Sequence, residues 1–484
     1  MSVSIGIISC LSVVAFLATN ATYAAIENAS IWVRNYFGFF YLYLGFSCVA
    51  LLIGIALSPL GKKKFGDQNQ QPEHSLWAWT AMLYSAGMGA GILLRAVQEP
   101  VFMQQNPPYA SDLSADVLGL EFTFYQWGFT AWAFYGLFAL VMGNALFVQK
   151  KSMLISSTVD SLITNRFAKS SIDVIAVITT IFGLMAAIAL GTTQINGGLN
   201  HLLDTQFGIG TTITLTIVIA FIAGLSAWNG INHGIKLVSQ INIIVTIALL
   251  IFIFTTSDMT AILHSFVTVT IHYVIDFVPM SLALNSHDPG IEFLTDWTFY
   301  YWAFWIAWAP FTGIFIARIS RGRSLRQMLL GVLIIPSLGT FFWFSVFGTS
   351  AFQMIDSWGS YNNEFGNVFS SIFVFLQHYP LAALLNFTTV FLLLGFLVTS
   401  VDSAVFVLSM FTDAGKPEPS KNHRVIWSVL ILVATLALLL LGNIKPDVDV
   451  LQAVQKLLII TSLPLALLMP VMSFVFLKDP TKIK

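Results

Sequence analysis

Apolar stretches long enough to cross a bilayer, which takes roughly 20 residues, recur about twelve times along this chain. They lie near 3–20, 36–60, 76–98, 120–148, 171–203, 209–229, 233–256, 293–318, 325–350, 380–411, 424–442 and 450–477. In lipid every backbone polar group needs an internal partner, so such stretches must be helices. The 484 residues are 57% hydrophobic and 9% charged, with mean hydropathy +0.81. A soluble domain carries about 25% charge. The expected fold class is therefore an all-α integral membrane protein of about 12 transmembrane helices.

Basic residues test the count, because Lys and Arg concentrate on the cytoplasmic side. Lys62, Lys63 and Lys64 follow the second stretch, Lys150 and Lys151 the fourth, and Arg318 to Arg326 the eighth. Lys416, Lys421 and Arg424 follow the tenth, and Lys478, Lys482 and Lys484 the twelfth. Each cluster follows an even-numbered stretch, which places both termini in the cytoplasm of a multi-pass cell-membrane protein. The first apolar run lacks a basic leader, so no cleavable signal peptide is expected. Net charge −1 gives no hint of nucleic acid, and Cys10 and Cys48 lie in apolar segments, with no disulfide framework.

The segment 257–287 departs from the pattern, carrying Asp258, His264, His272, Asp276 and Pro279. It reads as an amphipathic helix on the outer surface. A similar piece, 361–378, precedes the tenth stretch. Together they suggest two halves, as in the internal repeats of secondary transporters. The expected organisation is two N-terminal helices in 1–75, a first five-helix repeat in 76–256, a surface helix in 257–292, a second repeat in 293–477 and a short cytoplasmic tail in 478–484.

Two stretches carry helix breakers. The third contains Ser85-Ala-Gly-Met-Gly-Ala-Gly91, whose glycines each weaken a helix by about 1 kcal/mol relative to alanine. Broken backbone is tolerated in lipid where it is buried or lines a cavity; the alternative is a small-residue packing seam. The eighth carries Pro310 and Gly313 directly after Trp297, Trp302, Trp305 and Trp308. Paired interruptions point to a midplane binding site. Tryptophans of membrane helices normally sit at the interfaces. These continue through the segment, so some face the interior, where aromatic faces suit a quaternary ammonium ion held by cation–π attraction.

These motifs resemble the betaine/choline/carnitine transporter family. Ala81-Met-Leu-Tyr-Ser-Ala-Gly-Met-Gly-Ala-Gly with Glu99-Pro100 is similar to its third span. Trp127-x4-Trp132-x2-Tyr135, Trp297 to Arg323 and Thr399-Ser-Val-Asp-Ser403 also match, and the resemblance runs from about residue 36 to 477. It implies a leucine-transporter-like fold with two inverted five-helix repeats. It also implies an aromatic box around a trimethylammonium group, built from Trp127, Trp132, Tyr135 and Trp305, with Trp308 and Phe311 on the path; Trp297 and Trp302 are then support. Interfacial anchoring is the alternative for the Trp127 trio. The break in the third span places Met88, Gly89 and Gly91 at the substrate.

The resemblance further implies a sodium site at Thr399 and Ser400, completed by the carbonyls of Ser85, Met88 and Phe396. The alternative is that both hydroxyls bond their own helix. Of a second sodium site Thr180 and Asn242 remain, while Leu184 stands where relatives have a threonine. Choline-preferring relatives carry aspartate at position 91. Gly91 therefore argues for a zwitterion such as glycine betaine, with carnitine, sulfonium and ectoine-like solutes as alternatives. Arg95 departs from the family. An arginine in a span raises a functional hypothesis, here a contact to a substrate carboxylate or a stand-in for a coupling cation, against a structural pair with Glu99 one turn away. The implied activity is sodium-coupled import by alternating access; a sodium-independent exchanger, a proton-coupled transporter and a non-transporting sensor are the alternatives. Family members are often trimeric, so a homotrimer joins substrate, sodium and the lipid bilayer as partners.

No Gly-x4-Gly-Lys-Ser/Thr occurs, so ATP hydrolysis by the chain is not indicated. The eight histidines are scattered without metal-ligand spacing, and no catalytic constellation is evident. No cofactor is expected. No polar ring repeats as a channel would require.

Overall fold

The computed structural model describes residues 2–65, 70–87, 89–229, 232–416, 418–444 and 449–478. The described chain is helical: α1 (Ser2–Leu17), α2 (Thr19–Leu57), α3 (Leu76–Gly87), α4 (Ala90–Arg95), α5 (Gln98–Gln105), α6 (Ala115–Trp127), α7 (Phe129–Gly143), α8 (Arg166–Leu203), α9 (Ile209–Asn229) and α10 (Asn232–Thr256). Then follow α11 (Met259–Leu282), α12 (Gly290–Phe293), α13 (Phe299–Ile319), α14 (Leu325–Trp358), α15 (Ser371–Leu376), α16 (Ala382–Thr412), α17 (Lys421–Leu441) and α18 (Val450–Lys478). Among the described residues, 11 helices are long and apolar enough to cross a membrane, or 12 if the bent α3–α5 unit is one span. The all-α, multi-pass reading therefore holds.

Three elements differ from the sequence reading. The second stretch is one 39-residue helix that begins at Thr19, not near 36. At 1.5 Å per residue it is about 58 Å long, well beyond a hydrocarbon core of about 30 Å. Its polar N-terminal half is held by charge: Lys456 of α18 pairs with Glu27 and donates to the Tyr23 hydroxyl at 2.7 Å. The segment read as a surface helix contains α11, whose 24 residues pass the same length and hydropathy test as the spans. It packs on α6, α14 and α2.

The other two differences concern breaks. The expected interruption at Pro310 is absent: α13 runs unbroken through it from Phe299 to Ile319. Proline removes one backbone bond, and the packing of α7 along α13 holds the helix in line; at Gly313 the Phe138 side chain and the Ala139 backbone leave no room for a Cβ. The irregularity of this stretch lies more than three turns earlier, in a π-helical turn at Leu294–Thr298 directly before α13. Conversely, the fourth stretch, read as continuous, is broken at Gly128 between α6 and α7.

The basic loops meet at one end of the bundle. The Phe65 amide donates to the Arg323 carbonyl at 3.3 Å, and the Leu325 amide to the Lys63 carbonyl at 2.8 Å, joining the loop after α2 to that after α13. Arg318 reaches Met153 beyond α7. Gly415, beyond α16, lies against Met153 and Leu154. Arg326 donates to the Ala56 carbonyl at 2.6 Å, capping the C-terminal end of α2, where cations are favoured.

Candidate functional site

Two broken helices and the unbroken α13 enclose a cavity of about 320 Å³. The first break separates α3 from α4 and bends the chain by 61°. Gly89 precedes α4 in extended conformation, and a Cβ there would meet nothing within 4 Å. The break is open on the cavity side. The second break has its freed groups taken by side chains. The Gln126 carbonyl accepts from Trp305 Nε1 at 2.9 Å, and the Trp127 carbonyl from the Thr340 hydroxyl at 3.5 Å. The Phe129 amide donates to the Tyr273 hydroxyl at 2.8 Å. A Cβ at Gly128 would stand 2.6 Å from both the Phe124 carbonyl and the Tyr273 hydroxyl, so only glycine fits.

Trp127, Trp132, Tyr135 and Trp305 all line the cavity. Trp305 is in edge contact with Trp127 at 5.1 Å and with Tyr135 at 6.2 Å between centroids, and Tyr135 with Trp132 at 5.4 Å. The edge-to-face geometry is the favoured one for aromatic pairs. Trp308 and Phe311 also line it. Trp302 is fully buried elsewhere, against Tyr125 and Phe134.

Gly89 and Gly91 lie on the lining, and a Cβ at Gly91 would reach the Trp127 ring at an ordinary 3.5 Å. Position 91 therefore looks directly at the cage. Met88 lies outside the described residues. Ser85, Phe396, Thr399 and Ser400 line the same cavity. Thr399 donates to the carbonyls of Gly395 and Phe396 at 2.9 and 3.1 Å, and Ser85 to that of Met82 at 2.9 Å. A hydroxyl that donates still has lone pairs for a cation. Thr180 and Asn242 are not on the lining; each is buried on its own helix, Asn242 against Gly395.

Arg95 is turned away from the cavity. It lines a separate vestibule of about 910 Å³ that shares no residue with the cavity. There its guanidinium donates to Gln98 at 2.7 Å, stacks on the Trp297 ring at 5.0 Å and stands 3.8 Å from Glu99. Glu99 is fully buried and accepts from Trp127 Nε1 at 3.2 Å and from the Tyr301 hydroxyl. The carboxylate thus fixes a cage ring from behind. Sequence reading paired Glu99 with Arg95 but missed Trp127 and Tyr301. A carboxylate within an apolar stretch is costly unless paired, a signal that more partners existed.

No charged side chain lines the cavity among the described residues. Nor does any group of three or more His, Cys, Asp or Glu stand close enough to hold a transition or divalent metal among them. The site offers aromatic faces, hydroxyls and backbone, which suits a methylated cation head within a molecule of no net charge.

The family model described as "BCCT, betaine/carnitine/choline family transporter" matches residues 1–483. The chain is 34% identical over 453 residues to the glycine betaine transporter OpuD of Bacillus subtilis (strain 168), covering 92% of this chain and 87% of that one. It is 32% identical over 487 residues to an ectoine/hydroxyectoine transporter of Virgibacillus pantothenticus, covering 99% and 96%. It is also 32% identical over 471 residues to a high-affinity choline transport protein of Escherichia coli (strain K12), covering 95% and 68%.

Proposed function

The chain belongs to the betaine/carnitine/choline transporter family, and from that premise we propose that it imports a net-neutral, quaternary-ammonium zwitterion, glycine betaine foremost, by sodium-coupled alternating access. It is a transporter and not an enzyme. One observation carries the substrate class: the cage of Trp127, Trp132, Tyr135 and Trp305 opens on a cavity without a charged side chain among the described residues. Cation–π attraction in a desolvated site is worth about 2 kcal/mol or more. A bare cation such as choline would lack a counter-charge there, and a net anion would lack a cationic partner, because Arg95 faces the vestibule. The solutes named for the relatives include betaine, ectoine and choline; the uncharged lining favours the zwitterions.

Sodium is carried with the substrate. Ser85, Phe396, Thr399 and Ser400 on the cavity lining support one site, and a hard monovalent cation suits their hydroxyl and carbonyl oxygens. Thr180 and Asn242, off the lining and without the second threonine, support one sodium better than two. In this reading 76–256 and 293–477 are inverted five-helix repeats of a leucine-transporter-like fold, following two N-terminal helices in 1–75. The 257–292 segment lies along the outer surface. The loops joined at the basic end, with both termini, are cytoplasmic, and the protein assembles as a homotrimer.

Uptake of radiolabelled betaine into proteoliposomes, with and without an inward sodium gradient, tests the proposal. Accumulation driven by sodium supports it. Uptake indifferent to sodium moves the coupling to exchange or protons, and no uptake with intact binding makes the chain a sensor.

A further inference from the structure

The ring cage accounts for one end of a zwitterion only; its anionic end needs donors. Three hydroxyls on the cavity lining already donate within the protein: Ser85 to Met82, Thr340 to Ser337 and Thr399 to Gly395. Gln194 is different. It stands on α8, one turn beyond Leu190 and Gly191, which also line the cavity. Its side chain is fully buried, and neither Oε1 nor Nε2 has a partner. A primary amide brings two donors and two lone pairs. Burying it unpaired costs about 1–3 kcal/mol, so a fold gains nothing from it unless a ligand completes it. The Trp308 indole N–H is a second buried donor without a partner on the same lining.

We propose that the Gln194 side-chain amide determines substrate specificity by donating Nε2–H to the carboxylate of the zwitterion whose methylated head occupies the cage, with the Trp308 indole N–H as the accompanying donor. The inference rests on the transport reading above and says which end of the substrate α8 recognises. Neutral donors match a carboxylate whose charge is balanced within its own molecule. A hydrogen bond to a charged acceptor is roughly twice as strong as one between neutral groups. The amide therefore favours a carboxylate over the alcohol of choline, without any counter-ion in the wall.

The test uses the full-length protein in lipid nanodiscs. Calorimetry measures binding of glycine betaine, choline and tetramethylammonium, the last having a head and no second end. Gln194→Met, close in shape and without the amide, should weaken betaine roughly 10- to 100-fold and leave tetramethylammonium within about threefold. It should also raise the Tm of the ligand-free protein, because an unpaired buried amide is gone. Gln194→Glu should lose betaine and gain choline, since the new carboxylate repels one and balances the other. Unchanged betaine affinity in both variants, or equal losses of betaine and tetramethylammonium, overturns the assignment. Trp305→Leu separates the two readings: it should abolish tetramethylammonium binding as well. If it spares tetramethylammonium while Gln194→Met selectively weakens betaine, the cage reading fails and the amide contact stands.

Discussion

The two helix breaks that frame the cavity use the same device for opposite ends. At Gly128 the freed backbone groups are closed by side chains from three other helices: Trp305 of α13, Tyr273 of α11 and Thr340 of α14. At Gly89 a Cβ would meet nothing within 4 Å. In a bilayer an unpaired backbone group costs several kcal/mol, so a break persists only where something answers it. Protein answers the first, which makes Gly128 part of a fixed wall that holds Trp127 and Trp305 together. Beside the second there is open space on the cavity lining, where a ligand or ion can approach the backbone. Rigidity and adaptability are thus set side by side around one small volume.

Substitutions can break or sharpen that contrast. The largest effect is expected from Trp305→Leu, which removes a cage ring and the bond that closes the Gln126 carbonyl. Betaine binding should fall by about 30-fold or more, and unchanged affinity in a calorimetric titration would remove the cage assignment. Gly128→Ala should follow, destabilising the protein by about 1–3 kcal/mol through overpacking against the Phe124 carbonyl. Gly89→Ala, with nothing in its way, should leave the Tm within about 2 °C, a shift of well under 1 kcal/mol. Equal melting shifts for the two alanines would erase the distinction between sealed and open breaks.

Gly91→Asp should leave folding intact, because the Cβ contact with Trp127 is ordinary, and shift preference from betaine toward choline by roughly tenfold. Competition of the two solutes in an uptake assay reads this directly. Tyr273→Phe should cost about 1–2 kcal/mol, by leaving the Phe129 amide without its acceptor. If thermal melting shows no loss, α11 does not help to seal the break. Its polar contact would then be incidental.

Much of this was legible in the chain. The twelve apolar stretches, the basic loops after alternate stretches and the glycines at 87, 89 and 91 predicted the span count and the open break. The family resemblance implied a box of Trp127, Trp132, Tyr135 and Trp305, and the fold brings these rings to one cavity. Pro310 misled, because a proline removes a single bond and α13, packed along α7, runs unbroken through it. Gly128 was passed over, since one glycine in a long apolar run is as often a packing contact as a break.

By itself the sequence determined that the backbone must be helical and where it could cross, because lipid offers no other partner for its polar groups. It also determined which aromatic residues were available to meet a cation. Tertiary structure alone decided which way the interior polar residues point. Arg95 turns to the vestibule, Glu99 holds Trp127 from behind, and Gln194 is left buried and unpaired beside the cavity. Helical spacing assigns a residue to a face, but what that face meets depends on neighbours hundreds of residues away.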